Sequence, residues 1–181
     1  MKSNHLYISW TRLRHEDWNV YIATTPLGLC YIGSPDKPFK ELEEWVQAKF
    51  PRCELVQNDA GMQQYAAELA EYFQGKRERF EFAMDYKGTD FQMAVWNALC
   101  QIPYGQTFTY SDIAHQIGKP AAVRAVGAAI GANPLLITVP CHRVIGKSGA
   151  LTGYRGGLEM KTRLLQLERM NVSVRETKEY A

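Results

Sequence analysis

Two short helical patterns separated by a glycine constrain the fold of this chain more than any other feature of its 181 residues. The segment Thr109–Asp112 predicts the start of the first helix, and Gly118 predicts its end. Pro120 is expected at the start of the second helix, where its missing N–H removes no helical hydrogen bond. A helix, a glycine-containing turn and a second helix are typical of a helix-turn-helix, and an ordinary helical hairpin is the alternative.

The second of these helices has an unusual surface for a helix that would contact DNA. Arg124 is its only long polar side chain. The other outward positions are expected to be small residues, namely Ala121, Ala125, Ala128 and Ala129. A helix that distinguishes base sequences needs several side chains such as Arg, Asn or Gln. The pattern therefore disfavours a transcription factor and favours a protein that acts on DNA of any sequence.

The first half of the chain predicts a mixture of helices and strands, with no internal repeat. Residues 18–33 have the pattern of a β-hairpin, and residues 79–84 alternate like a half-buried strand. Apolar residues recur at helical spacing over Phe39–Phe50 and over residues 62–73. The segment Thr89–Gln92 has the pattern of a capping box, which predicts that a further helix begins there.

This pattern predicts an α+β protein with a boundary near residue 87. We expect a supporting α/β domain in residues 1–87, a second domain in residues 88–170 and a polar, frayed tail in residues 171–181. Within the second domain, the apolar run Leu135–Val139 resembles a strand, and the last helix is expected over Leu158–Met170.

Charge is distributed unevenly along the chain. Residues 1–87 contain 11 basic and 13 acidic side chains, whereas residues 88–181 contain 10 and 6, which gives net charges of −2 and +4. The excess of positive charge in the second half is a mild indication of an anionic partner. No segment has the length and apolarity of a membrane span, and the first ten residues lack the apolar core of a signal peptide, so we expect an intracellular protein.

The four cysteines, Cys30, Cys53, Cys100 and Cys141, form no CxxC pair and predict neither a disulfide framework nor a metal site. A thiolate is a strong nucleophile, and His142 could take the proton of its neighbour Cys141. Adjacent side chains of an extended strand point to opposite faces, so this pair can cooperate only if the chain turns there. A buried, inert thiol is the alternative.

The segment Pro140–Val144, with the sequence Pro-Cys-His-Arg-Val, resembles the active-site motif of the O6-alkylguanine-DNA alkyltransferases, also called methylated-DNA–protein-cysteine methyltransferases. The resemblance covers residues 89–170 in order and at the family's spacing. It includes the segments Tyr110–Ser111, Ala122–Gly127, Asn133–Pro134 and Gly149–Leu158. The first half of the chain resembles the family's N-terminal domain in length and pattern only.

The resemblance implies a small ribonuclease-H-like domain with an antiparallel sheet, followed by a winged helix-turn-helix domain that binds DNA and carries the catalytic residues. The implied activity is DNA repair by direct reversal, in which an alkyl group moves irreversibly from O6 of guanine to Cys141, once per molecule and without a cofactor. O4 of thymine is a further candidate substrate. Some family members hold zinc in the N-terminal half, but Cys30, Cys53, His5 and His15 depart from that pattern, so no metal is expected.

The same resemblance implies a role for each catalytic residue. Cys141 would be the nucleophile, His142 would take the thiol proton through a bound water, and Glu168 would orient and stabilise that histidine. Tyr110 would contact the flipped base and help it to depart. Asn133 would tie the helix-turn-helix to the turn that carries the cysteine.

Guanine must leave the duplex before a cysteine can reach its O6. The resemblance implies that a monomer binds double-stranded DNA through the minor groove, with Arg124 filling the gap in the stack. The backbone carbonyls of Val139 and Cys141 would bind the guanine amino group, and Tyr154 and Arg155 would line the pocket and its lid. The remaining implied DNA contacts are Ser111, Ala121, Ala125 and Ala128. For Tyr110, Arg124, Asn133, Tyr154 and Glu168, an ordinary packing, capping or solvated surface role is the alternative.

Two other functions fit parts of the sequence. A DNA-binding regulator would use the helix-turn-helix, show sequence preference and tolerate Cys141→Ala, but the alanine-rich helix argues against it. A cysteine hydrolase would use Cys141, His142 and Glu168 and turn over an ester or amide without DNA. The basic second half and the helix-turn-helix favour DNA repair over this hydrolase.

Overall fold

The chain opens with three antiparallel strands, β1 (Tyr7–His15), β2 (Trp18–Thr25) and β3 (Gly28–Ile32), of which β3 is buried along its whole length. The computed structural model describes residues 7–179, and side chains as far as residue 175. A fourth strand, β4 (Glu54–Gln57), pairs in parallel with β1 and gives the order β3-β2-β1-β4. The expected antiparallel sheet is therefore wrong for β4, because the crossover through α1 (Phe39–Lys49) returns the chain in the direction of β1.

Helices cover the sheet of this first unit. Helix α1 contributes Leu42 and Val46 to a buried cluster whose other members, from the sheet, are Ile8, Ala23, Cys30 and Tyr31. Phe73, the last residue of α2 (Gln63–Phe73), stacks on Trp18 with ring centroids 4.3 Å apart. The strand predicted over residues 79–84 is wrong, because within it only Met84 forms an isolated bridge, with Leu29.

The chain divides into two compact units, Met1–Tyr86 and Lys87–Ala181. The second unit contains the four helices α3 (Asp90–Leu99), α4 (Tyr110–Gln116), α5 (Val123–Gly131) and α6 (Leu158–Glu179). Its strands β5 (Phe108–Thr109) and β6 (Val144–Ile145) pair in parallel over two residues each. Trp96 donates its indole N–H to the carbonyl of Ala129 at 2.8 Å and thereby ties α3 to α5.

Local signals explain where these helices begin. Capping boxes are present at Thr89, whose partner is Gln92, and at Thr109, whose partner is Asp112. Helix α5 begins at Val123 rather than at the expected Pro120. The residues between Lys119 and Ala122 form a turn instead, which the Ala122 N–H closes on the Lys119 carbonyl at 2.9 Å.

Helix α6 continues nine residues past its expected end at Met170. The frayed tail expected over residues 171–181 is therefore wrong for residues 171–179. The segment 171–179 contains neither glycine nor proline, so nothing in it breaks the helix. Within residues 7–179 no helix is long and apolar enough to cross a membrane. Among the side chains described, those of residues 7–175, no group of three or more His, Cys, Asp or Glu is arranged to hold a metal ion, and His5 lies outside this range.

Candidate active site

The apolar run Leu135–Val139 forms tight buried turns and belongs to neither sheet, so the predicted strand is wrong. The Val139 N–H closes one turn on the Leu135 carbonyl at 3.0 Å, and Ile137 has a φ of +72°, which β-branched residues rarely adopt. The chain then forms a single 3₁₀ turn over Cys141–Arg143. The turn that Cys141 and its neighbour need for cooperation is therefore present.

Asn133 holds these turns together from the inside. Its Nδ2 lies 3.1 Å from the sulfur of Cys141, 2.9 Å from the Val139 carbonyl oxygen and 3.2 Å from the Leu135 carbonyl oxygen. Its Oδ1 accepts the Leu135 N–H at 2.9 Å. The amide is 1% exposed, so water does not compete for these bonds. Asn133 therefore fixes the cysteine relative to the end of α5.

His142 and Glu168 form a buried pair behind the cysteine. His142 Nε2 lies 2.8 Å from Glu168 Oε1, and both residues are fully buried. Because an ionised carboxylate can only accept, Nε2 carries the proton and Nδ1 is the basic atom of the ring. Burial lowers the pKa of His142, and the hydrogen bond and charge of Glu168 only partly oppose this effect. The imidazole is therefore neutral and able to take a proton.

Glu168 accepts hydrogen bonds from Arg143 and Gly105 in addition to the expected bond from His142. Arg143 donates to both carboxylate oxygens, with Nε 3.0 Å from Oε2 and Nη2 2.9 Å from Oε1. The Gly105 N–H donates to Oε2 at 3.0 Å. Burial by itself would raise the pKa of Glu168, but the hydrogen bonds and charges of His142 and Arg143 hold it well below its usual range. Glu168 is therefore ionised.

A buried lysine ties the final helix to the loop beside the cysteine. The Nζ of Lys161 donates to the Val144 carbonyl at 2.6 Å and to the Thr152 carbonyl at 3.0 Å. Burial lowers the pKa of Lys161. Sequence reasoning missed this residue, although a signal exists, because Lys161 and Glu168 are in phase with the apolar residue Leu164 on α6. Arg143 and Gly105, which also donate to Glu168, had no role assigned to them either.

The thiol of Cys141 lies in a buried, polar environment. Burial raises its pKa, while the Asn133 hydrogen bond and the positive charges of Arg155 and Lys161 reduce that rise. The Tyr154 hydroxyl is buried beside it and has no partner of standard hydrogen-bond geometry among the described residues. Burial and then the charge of Cys141 raise the pKa of Tyr154 well above its ordinary value. Tyr154 therefore stays protonated, with the sulfur as the neighbouring acceptor.

A pocket of about 450 Å³ has Cys141 in its wall. The residues that line it are Tyr110, Gly127, Ile130, Gly131, Cys141, Gly153, Tyr154 and Arg155. Thr152 donates its hydroxyl to the Tyr110 oxygen at 3.1 Å, and this bond joins α4 to the loop that contains Gly153. Arg155 fixes the same loop by donating to the carbonyls of Asn133 at 3.1 Å and Pro134 at 3.2 Å. The structure thus brings four of the expected residues to one pocket, namely Tyr110, Cys141, Tyr154 and Arg155.

The residues expected to contact DNA lie outside this pocket. Four of them are exposed, namely Ala121, Arg124, Ala125 and Ala128, although Ala121 belongs to the turn before α5. Ala129, expected on the same surface, is buried instead. Ser111 is half-buried in α4 and does not line the pocket. Val139 is fully buried, and its carbonyl already accepts a bond from Asn133.

The fold and the site together define a class of protein in which a helix-turn-helix domain is built around one buried cysteine. Two family models match the chain. Residues 8–86 match the 6-O-methylguanine DNA methyltransferase, ribonuclease-like domain, and residues 90–170 match the 6-O-methylguanine DNA methyltransferase, DNA binding domain. The chain therefore belongs to the O6-methylguanine DNA methyltransferase family.

Individual relatives agree with this assignment over most of their length. The inducible methylated-DNA–protein-cysteine methyltransferase of Bacillus subtilis is 60% identical over 169 residues, which are 93% of this chain and 94% of the relative. The constitutive enzyme of the same organism is 45% identical over 82% of this chain and 94% of its own. The solved O6-methylguanine methyltransferase of Mycobacterium tuberculosis is 37% identical, with a TM-score of 0.77 and coverage of 91% and 94%. That organism's OGT has also been solved in complex with DNA, with a TM-score of 0.76, 37% identity and coverage of 90% and 94%.

Proposed function

We propose that Cys141 is the residue that accepts the alkyl group from O6-alkylguanine in DNA. Family membership makes this chain a DNA repair methyltransferase that transfers the group to a protein cysteine. Cys141 is the cysteine that lines the pocket, and its sulfur is hydrogen-bonded by Asn133. Cys30, by contrast, is buried in the first unit, where burial raises its pKa to about 12. The placement of the Cys141 sulfur in the pocket wall is the observation that carries the proposal.

The chemistry is a direct displacement at the alkyl carbon. The thiolate of Cys141 forms a C–S bond as the bond from carbon to O6 breaks, and the electron pair stays with the guanine, which takes up a proton. Tyr110 in the pocket wall is placed to donate a hydrogen bond to the departing base. The product is a thioether, which water does not readily hydrolyse, so each molecule reacts once.

His142 supplies the base for this step. Its neutral ring takes the thiol proton at Nδ1, through one water molecule, while Nε2 stays bonded to Glu168. Because Glu168 is ionised, it stabilises the imidazolium that forms. Burial makes the thiolate of Cys141 costly, so the base and the charge behind it offset that cost.

The walls of the pocket orient the base. A carbonyl oxygen has two lone pairs, so the Val139 oxygen can accept from the guanine amino group while it keeps its bond from Asn133. The Cys141 carbonyl is the second acceptor for that amino group. Tyr154 and Arg155 close the pocket on the side of the glycine-containing loop. Asn133 acts as a positioning residue, because its bonds determine where the sulfur and the Val139 carbonyl lie.

The exposed surface of α5 is suited to the minor groove of double-stranded DNA. Small side chains let the helix approach closely, and the degenerate minor-groove code makes the contact independent of sequence. Arg124 enters the stack and fills the place of the flipped nucleotide. The surrounding contacts come from Ser111, Ala121, Ala125 and Ala128. We further propose that the protein acts as a monomer in the cytoplasm, and O4-alkylthymine is a further candidate substrate.

The test is to incubate the protein with a duplex that contains one O6-methylguanine and to map the methyl group by peptide mass spectrometry. One added methyl on the tryptic peptide Ala125–Arg143, at Cys141, is expected, with one methyl transferred per protein molecule. Cys141→Ala should bind the same duplex and acquire no methyl group. A methyl group on Cys100, which is exposed, or turnover beyond one equivalent would contradict the proposal.

A further inference from the structure

The turn between α3 and β5 carries a hydrogen-bond donor to Glu168. The Gln106 N–H closes this turn on the Pro103 carbonyl at 3.1 Å. Gly105 occupies its third position with a φ of +77°, which favours glycine. Its N–H donates to Glu168 Oε2 at 3.0 Å. The position of the carboxylate that pairs with His142 therefore depends on where this turn lies.

Two side chains of α6, those of Asn171 and Val172, contact this turn. Asn171 Nδ2 donates to the Tyr104 hydroxyl at 2.9 Å. Val172 fills the space beside Gly105, since a Cβ added at Gly105 would lie 2.6 Å from Val172 Cγ2. Both residues lie beyond residue 170, where the match to the DNA binding domain ends. They also belong to the segment that the sequence predicts to be frayed.

Arg143 contacts the same turn from within the core. Its Nη1 donates to the Ile102 carbonyl at 2.7 Å, and its guanidinium carbon lies 5.5 Å from the centroid of the Tyr104 ring. The same guanidinium donates to both oxygens of Glu168. The turn is therefore in contact with the carboxylate and with the cation that pairs with it.

We propose that Asn171 and Val172 are positioning residues for alkyl transfer, which hold Tyr104 and Gly105 so that the Gly105 N–H remains on Glu168. The inference rests on the proposed roles of His142 and Glu168. A donor on Oε2 takes up part of the carboxylate charge. When the turn loosens, that donor is lost and more of the charge acts on His142.

The sign of the effect on the reaction follows from the groups around the histidine. The charged groups that face His142 are Glu168, Arg143 and Lys161. Losing a donor on Glu168 strengthens its pull on the imidazole proton, so the pKa of His142 rises. At a given acidic pH more of the histidine is then protonated and unable to accept the thiol proton. The acid limb of the rate profile therefore moves to higher pH.

The test compares Asn171→Ala and Val172→Ala with Val174→Ala, in the full chain. Val174 is 52% exposed on the same helix, so its variant makes the same chemical change as Val172→Ala away from the turn. The rate of methyl transfer from a duplex with one O6-methylguanine is measured under single-turnover conditions from acidic to mildly alkaline pH. Asn171→Ala and Val172→Ala should have the acid limb about half a pH unit higher, so they react about threefold more slowly on that limb and approach the wild-type rate at mildly alkaline pH. Val174→Ala should match the wild type.

Tyr104→Phe removes only the oxygen that Asn171 contacts and keeps the ring beneath Arg143, so it tests the same bond if Asn171→Ala does not fold. It should reproduce the rate and pH profile expected of Asn171→Ala. Wild-type rates and an unmoved acid limb in the folded variants would overturn the proposal, as would an equal loss at every pH. A wild-type protein that leaves Cys141 unmethylated would instead contradict the proposed function.

Discussion

At the scale of single residues, the negative charge of Glu168 supports proton transfer between two neutral groups, the Cys141 thiol and the His142 imidazole. Burial raises the pKa of the Cys141 thiol and lowers that of His142, so both groups are neutral at rest. Glu168 stays ionised because His142 and Arg143 donate to it. The carboxylate is therefore the group whose removal should change both the chemistry and the stability of the protein.

Glu168→Gln keeps the size of the side chain and leaves Arg143 buried without its counter-charge. We expect the free energy of unfolding at neutral pH to fall by about 3–5 kcal/mol. Because the pKa of Glu168 is depressed in the folded state, its contribution is complete above its ordinary value of 4.5 and declines as the pH falls below it. The stability difference between the wild type and the variant should therefore narrow in acid. Denaturant unfolding at a series of pH values measures it, and a gap that stays constant would contradict the expectation.

The variant Arg124→Ala distinguishes the proposed role of this arginine in base flipping from the alkyl-transfer step. Arg124 is exposed on α5 and does not line the pocket, so its loss leaves the surroundings of Cys141 intact. Repair of duplex O6-methylguanine should fall about tenfold or more, because nothing then fills the gap in the stack. The rate with free O6-benzylguanine should not change. Equal losses with both substrates would exclude the intercalating role.

At the scale of helices and strands, the sequence predicts elements whose signals are local. The capping box at Thr89, the β2–β3 hairpin and helix α1 are all confirmed, since each depends on residues a few positions apart. The strands expected over residues 79–84 and 135–139 are wrong, because an apolar run does not reveal whether a partner strand exists. Strand β1 was not predicted at all.

The residues of the site divide in the same way, into those that a sequence motif identifies and those that act through contacts between distant parts of the chain. The motif around Cys141 and the lining residues Tyr110 and Tyr154 could be found from the sequence, because their order and spacing resemble those of a family. The role of Gly105 could not, because it acts through a contact with a distant segment of the chain, and the helical phase of Lys161 marks it as inward-facing without identifying the carbonyls that it binds. Such contacts exist only after the fold has formed, and no local pattern announces them.

Lys161→Met tests whether α6 anchors the loop beside the pocket. Methionine fills a similar volume but leaves the carbonyls of Val144 and Thr152 without the lysine as a donor. We expect a loss of about 1–3 kcal/mol in the free energy of unfolding and faster hydrogen exchange in residues 146–157. Lys147→Met, at an exposed position in that loop, is the matched control and should behave like the wild type. Unchanged exchange in Lys161→Met would refute the anchoring role.

At the scale of the whole molecule, basic charge is concentrated in the half of the chain that contains the helix-turn-helix. Residues 88–181 carry a net charge of +4, against −2 for residues 1–87. A polyanion such as DNA releases condensed counterions when basic side chains neutralise its phosphates. The alanines of α5 favour DNA binding that is independent of base sequence. The free energy of such binding comes largely from counterion release.

The affinity for undamaged duplex DNA should therefore depend steeply on salt and weakly on sequence. With about four phosphate contacts, we expect a loss of about a hundredfold in affinity between 50 and 200 mM salt. Fluorescence anisotropy with two duplexes of unrelated sequence measures both dependences. A shallow salt dependence, or a large preference for one of the duplexes, would contradict binding through the phosphates without reading of the bases.

Glu168 is bonded to the turn at Gly105, to the 3₁₀ turn at His142 and Arg143, and to its own helix through the backbone. A molecule in which one of these segments is misplaced has a buried charge without its partners. Such a molecule is less stable and unfolds, so it does not persist as a folded but inactive form. The folded state is therefore the state in which the buried carboxylate has all of these partners. In the proposed reaction, which consumes each molecule, the number of folded copies equals the number of lesions a cell can still remove.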